Sequence, residues 1–269
     1  MNKSLVRTLS KAFPKLVVSF AYKQLTNPQI RKLREHEARM LEKAKKEDFR
    51  FKDFNIKLYE WGNGDKEVLL IHGWEGQAGN FGDLVEKLVE NNYKVYAFDG
   101  PSHGYSSRGR TSLFEFTELV AILIKRFQVK TLVSHSFGGV ATTYALFENP
   151  DIHIDKYLLL TTPDRFIERI DDVSASIGIT EKVKNLLIKK LNQETGKDVY
   201  SLNVSDFVQH IHVKDALIIH DRDDKVIPIE RSKNVHEKWT VSTFEEVERT
   251  GHFRILRDQT VLGTVIGFL

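Results

Sequence analysis

The stretch Thr131-Leu132-Val133-Ser134-His135-Ser136-Phe137-Gly138-Gly139 decides how this chain is interpreted. Its first three residues predict a buried strand, and a helix is expected immediately after a tight turn. A serine on such a strand-to-helix elbow, with a small residue two places before and after it, exposes its hydroxyl above a sheet. We therefore predict that Ser136 is a nucleophile. The simpler alternative is that Ser136 only caps the amino end of the helix.

Short apolar runs alternate with helical segments along most of the chain. Strands are predicted near 56–59, 68–71, 95–98, 131–133, 157–160, 216–219 and 242–248, and helices near 80–91, 112–127, 138–149, 230–238 and 254–266. Continuous apolar runs are typical of parallel strands that are buried on both faces. The pattern therefore predicts an α/β fold, with helices on both faces of a mostly parallel sheet.

One segment, 163–213, differs from its surroundings because it is charged and carries apolar residues at helical spacing. It lies between two predicted core strands, so we predict a small helical cap; an ordinary pair of surface helices is the alternative. The expected organisation is a basic helical N-terminal segment, 1–52, packed on the core. The core itself comprises 53–162 and 214–269.

Composition excludes several classes of protein. The chain has 269 residues, 41% of them hydrophobic, and no cysteine, which excludes disulfides, thiolate catalysis and cysteine-zinc sites. There is no Walker or G-x-G-x-x-G loop, and His210 and His212 lack an evident third ligand, so we expect neither a cofactor nor a metal. We also expect no membrane-spanning segment and no signal peptide, and hence a cytoplasmic protein.

Charge is distributed unevenly. Residues 1–52 carry a net charge of +9, from 14 Lys/Arg and 5 Asp/Glu, whereas the whole chain carries +3. Large apolar side chains recur at helical spacing at Leu5, Leu9, Phe13, Leu16 and Phe20. We expect this helix to pack on the core; weak association of residues 1–25 with an anionic membrane surface is the alternative. Liposome co-sedimentation of the intact chain and of a chain without these 25 residues distinguishes the two.

A serine hydroxyl becomes a good nucleophile only when an imidazole takes its proton and a carboxylate orients that imidazole. Downstream of Ser136, His252 follows a predicted final strand and Gly251, which suits a tight loop. We predict that His252 is the base. Asp221, Asp223 and Asp224 follow an earlier predicted strand and compete for the role of the acid; the alternative is a charged turn that only caps backbone.

Two backbone amides are candidates for stabilising an oxyanion. An HG-type turn over Leu70–Gly76 follows a buried strand, and such a turn presents one N–H group. The residue after the serine presents the other. We predict that the amides of Trp74 and Phe137 form the oxyanion hole, and that His72 only holds the neighbouring loop.

Five segments carry a family resemblance: GWEG, FDGPSHGYS, SHSFGG, HDRDDKVIP and TGHFRILRD. Together they resemble proteins of the α/β-hydrolase fold, in particular a group of bacterial hydrolases with poorly defined substrates. The resemblance implies an eight-stranded, mostly parallel sheet with a helical cap and no cofactor. It places nucleophile, acid and base on Ser136, Asp224 and His252, with Asp224 matching the D-x-x-V/I-P spacing of that superfamily.

This sequence departs from the family pattern at two positions. Ser134 replaces the first glycine of the elbow, and Ser102 replaces a glycine of the FDGPSHGYS loop, where we expect Asp99 and His103 to structure the loop. The resemblance implies a serine hydrolase that cleaves a small-molecule ester or thioester through an acyl-enzyme, without a nucleic acid partner. Acyl transfer, amide or lactone hydrolysis, and a non-catalytic ligand-binding protein are the alternatives. The oligomeric state does not follow from the sequence.

Overall fold

One eight-stranded sheet organises the protein, in a computed structural model that describes residues 3–30 and 32–269. The strand order is β1-β2-β4-β3-β5-β6-β7-β8. The pairs β1–β2 and β2–β4 are antiparallel and the other pairs are parallel, which confirms the predicted mostly parallel sheet. The strands are β1 (Lys45–Phe51), β2 (Phe54–Trp61), β3 (Lys66–Ile71), β4 (Tyr93–Asp99), β5 (Thr131–His135), β6 (His153–Leu160), β7 (His212–Asp221) and β8 (Ser242–Val247).

Helices cover both faces of the sheet. They are α1 (Lys3–Ala12), α2 (Pro14–Thr26), α3 (Glu35–Glu42), α4 (Gly82–Glu90), α5 (Leu113–Phe127), α6 (Phe137–Glu148), α7 (Phe166–Ile177), α8 (Glu181–Thr195), α9 (Val204–Phe207), α10 (Ile229–Lys238), α11 (Gly251–Arg254) and α12 (Gln259–Phe268). Successive side chains of a strand point to opposite faces. In β3, Leu69 and Ile71 accordingly pack with α5 and α6, whereas Val68 and Leu70 pack with α4 and α12. This double burial explains the uninterrupted apolar run.

Strand β1 was not predicted from the sequence. Its residues, KKEDFRF, are mostly charged and exposed, and it pairs only with β2 at the edge of the sheet. An edge strand has one solvated side, so it needs no apolar run, and its charges discourage pairing with another molecule. The periodicity that reveals buried strands is therefore missing here.

The predicted C-terminal helix at 254–266 begins later in the structure, as α12, and shares only Arg254 with α11. Helix α11 ends at Arg254 and α12 begins at Gln259. Between them, the Asp258 carboxylate accepts hydrogen bonds from the amides of Thr260 and Val261, which is the geometry of a helix N-cap. The cap fixes the start of α12 after the turn that follows α11.

The helices of the 163–213 segment pack with the start of the chain. Buried side chains of α1 and α2, such as Val6 and Ala21, share an apolar cluster with Ile170 of α7 and Leu187 of α8. Helix α3 instead packs on the core, where the Trp61 indole donates a hydrogen bond to the Met40 carbonyl. Residues 27–30 and 32–34, which lie between α2 and α3, therefore connect the cap helices to the core. We call these residues the strap.

The outward side of α1 and α2 is apolar in part. Leu5, Phe13 and Leu16 are 55%, 57% and 68% exposed. Among the described residues, no helix combines the length and the apolar character that crossing a membrane requires. Association of residues 1–25 with an anionic membrane surface stays the alternative to packing, as in the sequence analysis.

A glycine-to-alanine change tests how tightly α6 is set against β3. A Cβ atom at Gly138 would lie 2.5 Å from the Ile71 carbonyl oxygen and 2.6 Å from that of His72. Since backbone cannot move aside easily, we expect Gly138→Ala to lower the free energy of unfolding by about 1–3 kcal/mol in urea titrations.

The matched control is Gly263→Ala in α12, where an added Cβ meets nothing within 4 Å. That variant should be up to about 1 kcal/mol more stable than the parent, because alanine favours helix over glycine. Equal unfolding midpoints for the two variants would contradict the close contact at Gly138.

Candidate functional site

Ser136 lies at a strained turn between β5 and α6. Its φ is +55° and its ψ is −125°, a region that side-chain-bearing residues rarely adopt. The Ser136 amide donates to the Leu160 carbonyl of the neighbouring strand at 2.9 Å, and the Gly139 amide donates to the Ser136 carbonyl at 2.8 Å. These bonds fix the turn and leave the side chain partly exposed above the carboxyl end of the sheet.

Ser134, the departure from the elbow pattern, fits a buried polar contact. Its side chain is fully buried, and its hydroxyl donates to the Tyr157 hydroxyl on β6 at 3.1 Å. The same Tyr157 hydroxyl lies 3.2 Å from the Gly139 carbonyl oxygen and 3.3 Å from the Thr143 hydroxyl. The serine is therefore paired with a tyrosine that links two strands to α6, and the elbow forms despite the missing glycine.

Ser102, the second departure, adopts the backbone that a glycine would favour. Its φ is +66°, in the left-handed region, and its hydroxyl accepts a hydrogen bond from the Gly109 amide at 3.2 Å. A side chain in this region costs about 1 kcal/mol relative to glycine. The cost falls on a loop that supports the site without entering it.

The predicted base, His252, lies between Ser136 and Asp224. His252 occupies the first turn of α11, and its Nε2 lies 3.1 Å from the Ser136 Oγ. Its Nδ1 lies 2.8 Å from the Asp224 Oδ2. The structure thus brings together three side chains from three separate loops, in the order Ser136, His252, Asp224. Both His252 and Asp224 are buried.

Asp224 is held by its own loop. Its Oδ1 accepts hydrogen bonds from the amides of Val226 at 2.7 Å and Ile227 at 3.0 Å, which leaves Oδ2 for His252. Burial alone would raise the pKa of Asp224, but the hydrogen bond from His252, its Coulomb attraction and these amides outweigh burial and hold the pKa below its ordinary value. The carboxylate therefore stays ionised at neutral pH.

The two other candidate aspartates lie elsewhere. Asp223 is exposed and forms no hydrogen bond with His252 in the described part of the chain, whereas Asp221 is fully buried and binds the segment that carries His252. The Asp221 Oδ2 accepts from the Thr250 amide, from the Thr250 hydroxyl at 2.7 Å and from the Gly251 amide at 2.7 Å. Asp221 is thus a positioning residue that joins the acid loop to the base loop.

The two candidate oxyanion donors flank the serine. Phe137 is the first residue of α6, so its amide has no acceptor within the helix. Trp74 lies in the loop after β3, and its ring meets the Phe137 ring edge-on at 5.3 Å between centroids. A Cβ at Gly73 would lie 3.1 Å from the Ser136 Cβ, so the Trp74 loop approaches the serine closely. The catalytic role of both amides stays a prediction.

His72 and Asp99 connect the loops beneath the site. His72 Nδ1 donates to the Gly73 carbonyl at 2.7 Å, and its Nε2 accepts from the Gly100 amide at 2.9 Å. Asp99 accepts from the Ala78 amide at 2.8 Å, the Tyr105 amide and the Tyr59 hydroxyl. These side chains hold backbone in place, which is the role that the sequence analysis expected for them.

His135 is a site residue that the sequence analysis missed. It is buried next to the nucleophile, its Nε2–H donates to the His252 carbonyl at 2.9 Å, and its ring lies 4.9 Å from the His252 ring. Burial lowers its pKa to about 3, so the ring is neutral. Adjacency to Ser136 was the only available signal, since the contact with His252 joins residues that are far apart in sequence.

Two cavities meet at the serine. Both are lined by Trp74, Glu75, Ser136, His252 and Phe253. The strap-side cavity, about 360 Å³, continues between the strap and Arg257. The cap-side cavity, about 200 Å³, continues beneath α7, past Phe166 and Arg169. The acyl group and the leaving group of a substrate attacked by Ser136 could therefore each occupy a separate cavity.

Comparison with known proteins agrees with the fold. A family model described as serine aminopeptidase, S33, matches residues 62–253. An uncharacterized hydrolase of Bacillus subtilis is 24% identical over 74% of this chain and 88% of that protein. A pimeloyl-[acyl-carrier protein] methyl ester esterase of Xanthomonas campestris is 32% identical over 39% of this chain and 40% of that protein.

Among solved structures, a CIB-like hydrolase of Thermoplasma acidophilum superposes with a TM-score of 0.61 at 17% identity, covering 84% of this chain and 97% of that one. At this identity the likeness shows the fold alone, and it confirms the expected α/β-hydrolase fold. The strap and helices α1 and α2 lie before the residues that the family model matches. Part of the strap-side cavity is therefore built outside that match.

Buried histidines predict a pH dependence of stability. Burial lowers the pKa of His72 to about 4 and of His135 to about 3, and it lowers the pKa of His220. Below about pH 6.5 these histidines bind protons in the unfolded chain but not in the folded protein. Their contribution to the free energy of unfolding is therefore fully present above that pH and is lost as the pH falls. We expect the free energy of unfolding to drop between pH 7 and pH 5, by up to about 1.4 kcal/mol per pH unit for each ring.

Urea titrations across this pH range measure the slope. His135→Asn removes one titrating ring, so its slope should be shallower than that of the parent. A parent protein whose stability is flat from pH 7 to pH 5 would show that the folded and unfolded chains bind protons equally, and so that burial does not lower the pKa of these rings.

Proposed function

Because this chain belongs to the serine aminopeptidase S33 family of hydrolases, we propose that it cleaves carboxylic esters or thioesters through an acyl-enzyme intermediate on Ser136. The observation that carries the proposal is the continuous hydrogen-bonded line from the Ser136 Oγ through the His252 ring to the Asp224 carboxylate. Each contact is within the distance that proton transfer and orientation require.

Asp224 determines which nitrogen of His252 receives the proton. An ionised carboxylate at 2.8 Å accepts a hydrogen bond from Nδ1–H, so Nε2 carries the lone pair that faces the serine hydroxyl. The carboxylate also stabilises the positive charge that develops on the ring. His135 holds the backbone carbonyl of His252 from the other side, which keeps the ring over the serine.

Acylation begins when the Ser136 oxygen attacks the substrate carbonyl carbon and its proton moves to His252 Nε2. The carbonyl oxygen becomes an oxyanion, for which the Phe137 and Trp74 amides are the proposed donors; each such donor is worth roughly 3 kcal/mol. Collapse of this intermediate breaks the bond to the leaving group, which takes the proton from His252. The acyl group is then bound to Ser136.

Deacylation repeats these steps with water. His252 removes a proton from a water molecule, the resulting hydroxide attacks the acyl carbon, and the proton passes to the Ser136 oxygen as the acid leaves. The ester specificity named for the Xanthomonas campestris esterase supports an ester substrate. Amides and lactones use the same steps, so a substrate panel that includes them distinguishes these alternatives.

Removing the serine hydroxyl tests the proposal. We expect Ser136→Ala to lower the turnover of an activated ester by roughly 10⁴- to 10⁶-fold, because nucleophile and base act as a unit. A fluorophosphonate should label Ser136 in the parent protein, as located by peptide mass spectrometry. Ser205, which is buried in α9, is the matched control and should neither carry label nor affect turnover when changed to alanine.

Turnover that survives Ser136→Ala in a contaminant-free preparation contradicts the proposal. An unlabelled Ser136 in a protein that still binds an ester tightly would favour the non-catalytic binding role instead.

A further inference from the structure

We propose that the acyl group of the natural substrate carries a carboxylate, which the Arg169 guanidinium binds in the cap-side cavity. This inference rests on the proposed function and adds the substrate class. It starts from the charges around Ser136. Six cationic side chains line the two cavities: Lys32, Arg34, Arg165, Arg169, Arg231 and Arg257. Three carboxylates line them: Glu37, Glu75 and Asp172.

Internal ion pairs neutralise two of these cations. Arg34 Nε donates to the Glu37 Oε1 at 3.0 Å. Arg231 binds both oxygens of Asp172, with Nη1 at 2.9 Å from Oδ2. These pairs consume two of the three carboxylates that line the cavities, so an excess of positive charge remains beside the nucleophile.

Arg169 lines the cap-side cavity, and no carboxylate neutralises its charge by a direct contact among the described residues. Within the described part of the chain it has no hydrogen bond or ion pair, and its attraction to Asp172 and Glu75 acts only over a longer range. Asp172 already binds Arg231, and Glu75 accepts a hydrogen bond from the Gln29 amide at 3.0 Å. Neither carboxylate is therefore committed to Arg169.

The position of Arg169 is that of a side chain projecting into a cleft. Its surface is exposed, yet burial by the surrounding protein is the largest influence on its pKa and lowers it from the ordinary value. The same cavity is lined by Phe137, Val140 and Phe166. A cation beside these apolar side chains loses part of its hydration without gaining a hydrogen-bonded partner, and an incoming anion supplies one.

The positive charge at the two cavities differs in sign from the net charge of the surrounding domain. Residues 53–269 carry a net charge of −6, while the whole chain carries +3. A positive cleft within a negative domain concentrates the field at the cleft and attracts anions to it in preference to the remaining surface. A neutral acyl chain would gain nothing from this arrangement.

The size of the cavity limits the acyl group. It holds about 200 Å³, which is roughly the space of six or seven water-sized groups. A short chain that ends in a carboxylate fits this volume, with its scissile carbonyl at Ser136 and its carboxylate at Arg169. The substrate class is therefore a half-ester or half-thioester of a short dicarboxylic acid.

Charge-matched substrates test this inference. The p-nitrophenyl half-esters of glutaric and adipic acid are compared with p-nitrophenyl esters of neutral acids of the same chain length. We expect the parent to prefer the half-esters in kcat/KM. Arg169→Gln should lose roughly tenfold to a hundredfold on the half-esters, mainly through KM, and change little on the neutral esters.

Two further variants separate a specific contact from a general field. Arg165→Gln removes the same charge from the N-cap of α7, at the same cavity, and should affect the half-esters only slightly. Arg169→Lys keeps the charge and should recover part of the loss. Glutarate binding to Ser136→Ala, measured by calorimetry, should weaken when Arg169→Gln is added, which gives a readout independent of turnover.

Several results would overturn the inference. The first is an equal loss on charged and neutral esters in Arg169→Gln, and the second is an equal effect of Arg169→Gln and Arg165→Gln. The third is a preference of the parent for esters whose leaving group bears the negative charge, which would place the anion in the strap-side cavity. A parent protein that cleaves neutral esters without preferring half-esters overturns this inference and leaves the proposed function intact. Failure of every ester together with an unlabelled Ser136 overturns the proposed function itself.

Discussion

The left-handed φ of +55° at Ser136 is the constraint on which the site depends. Such a conformation costs about 1–3 kcal/mol in a residue with a side chain, and it persists only where the surrounding structure enforces it. Here the amide of Ser136 is bonded to the neighbouring strand, and Gly138 lies against the carbonyl groups that end β3. Burial of both faces of the sheet offsets the free-energy cost of the strained turn. The turn places the Ser136 hydroxyl at the two cavities.

Around this fixed serine, buried polar contacts bring distant loops into register. Asp221 joins the loop of the acid to that of the base, His135 bonds the backbone of the base, and His72 joins the loops that follow β3 and β4. Each of these side chains is buried, so a lost partner would leave an unpaired polar group at a cost of about 1–3 kcal/mol. The alignment of Ser136, His252 and Asp224 therefore depends on buried residues outside that line.

Patterns of residues close together in the sequence were enough to predict most of the inner strands and the candidate site residues. The apolar runs of the inner strands, the elbow around Ser136 and the order of candidate acid and base along the chain all follow from residues close together in sequence. Other features depend on contacts that sequence does not display. The charged edge strand β1 has no apolar run, and the start of α12 depends on the side-chain cap at Asp258. The place of Arg169 in the cap-side cavity requires the cap helices to be folded. The choice of Asp224 among three neighbouring aspartates came instead from the D-x-x-V/I-P spacing of the family resemblance, and Asp224 is the one whose carboxylate faces His252.

That choice offers the most direct measurement of the central claim. The measurement compares kcat for an activated ester in Asp224→Asn and in Asp223→Asn, two changes of the same kind one residue apart. If Asp224 orients His252, the first variant should lose about 10⁴-fold in kcat, because an amide favours the wrong tautomer of the ring. The second should remain close to the parent, since Asp223 is exposed. Equal rates in the two variants, or a larger loss at Asp223, would contradict the triad described here.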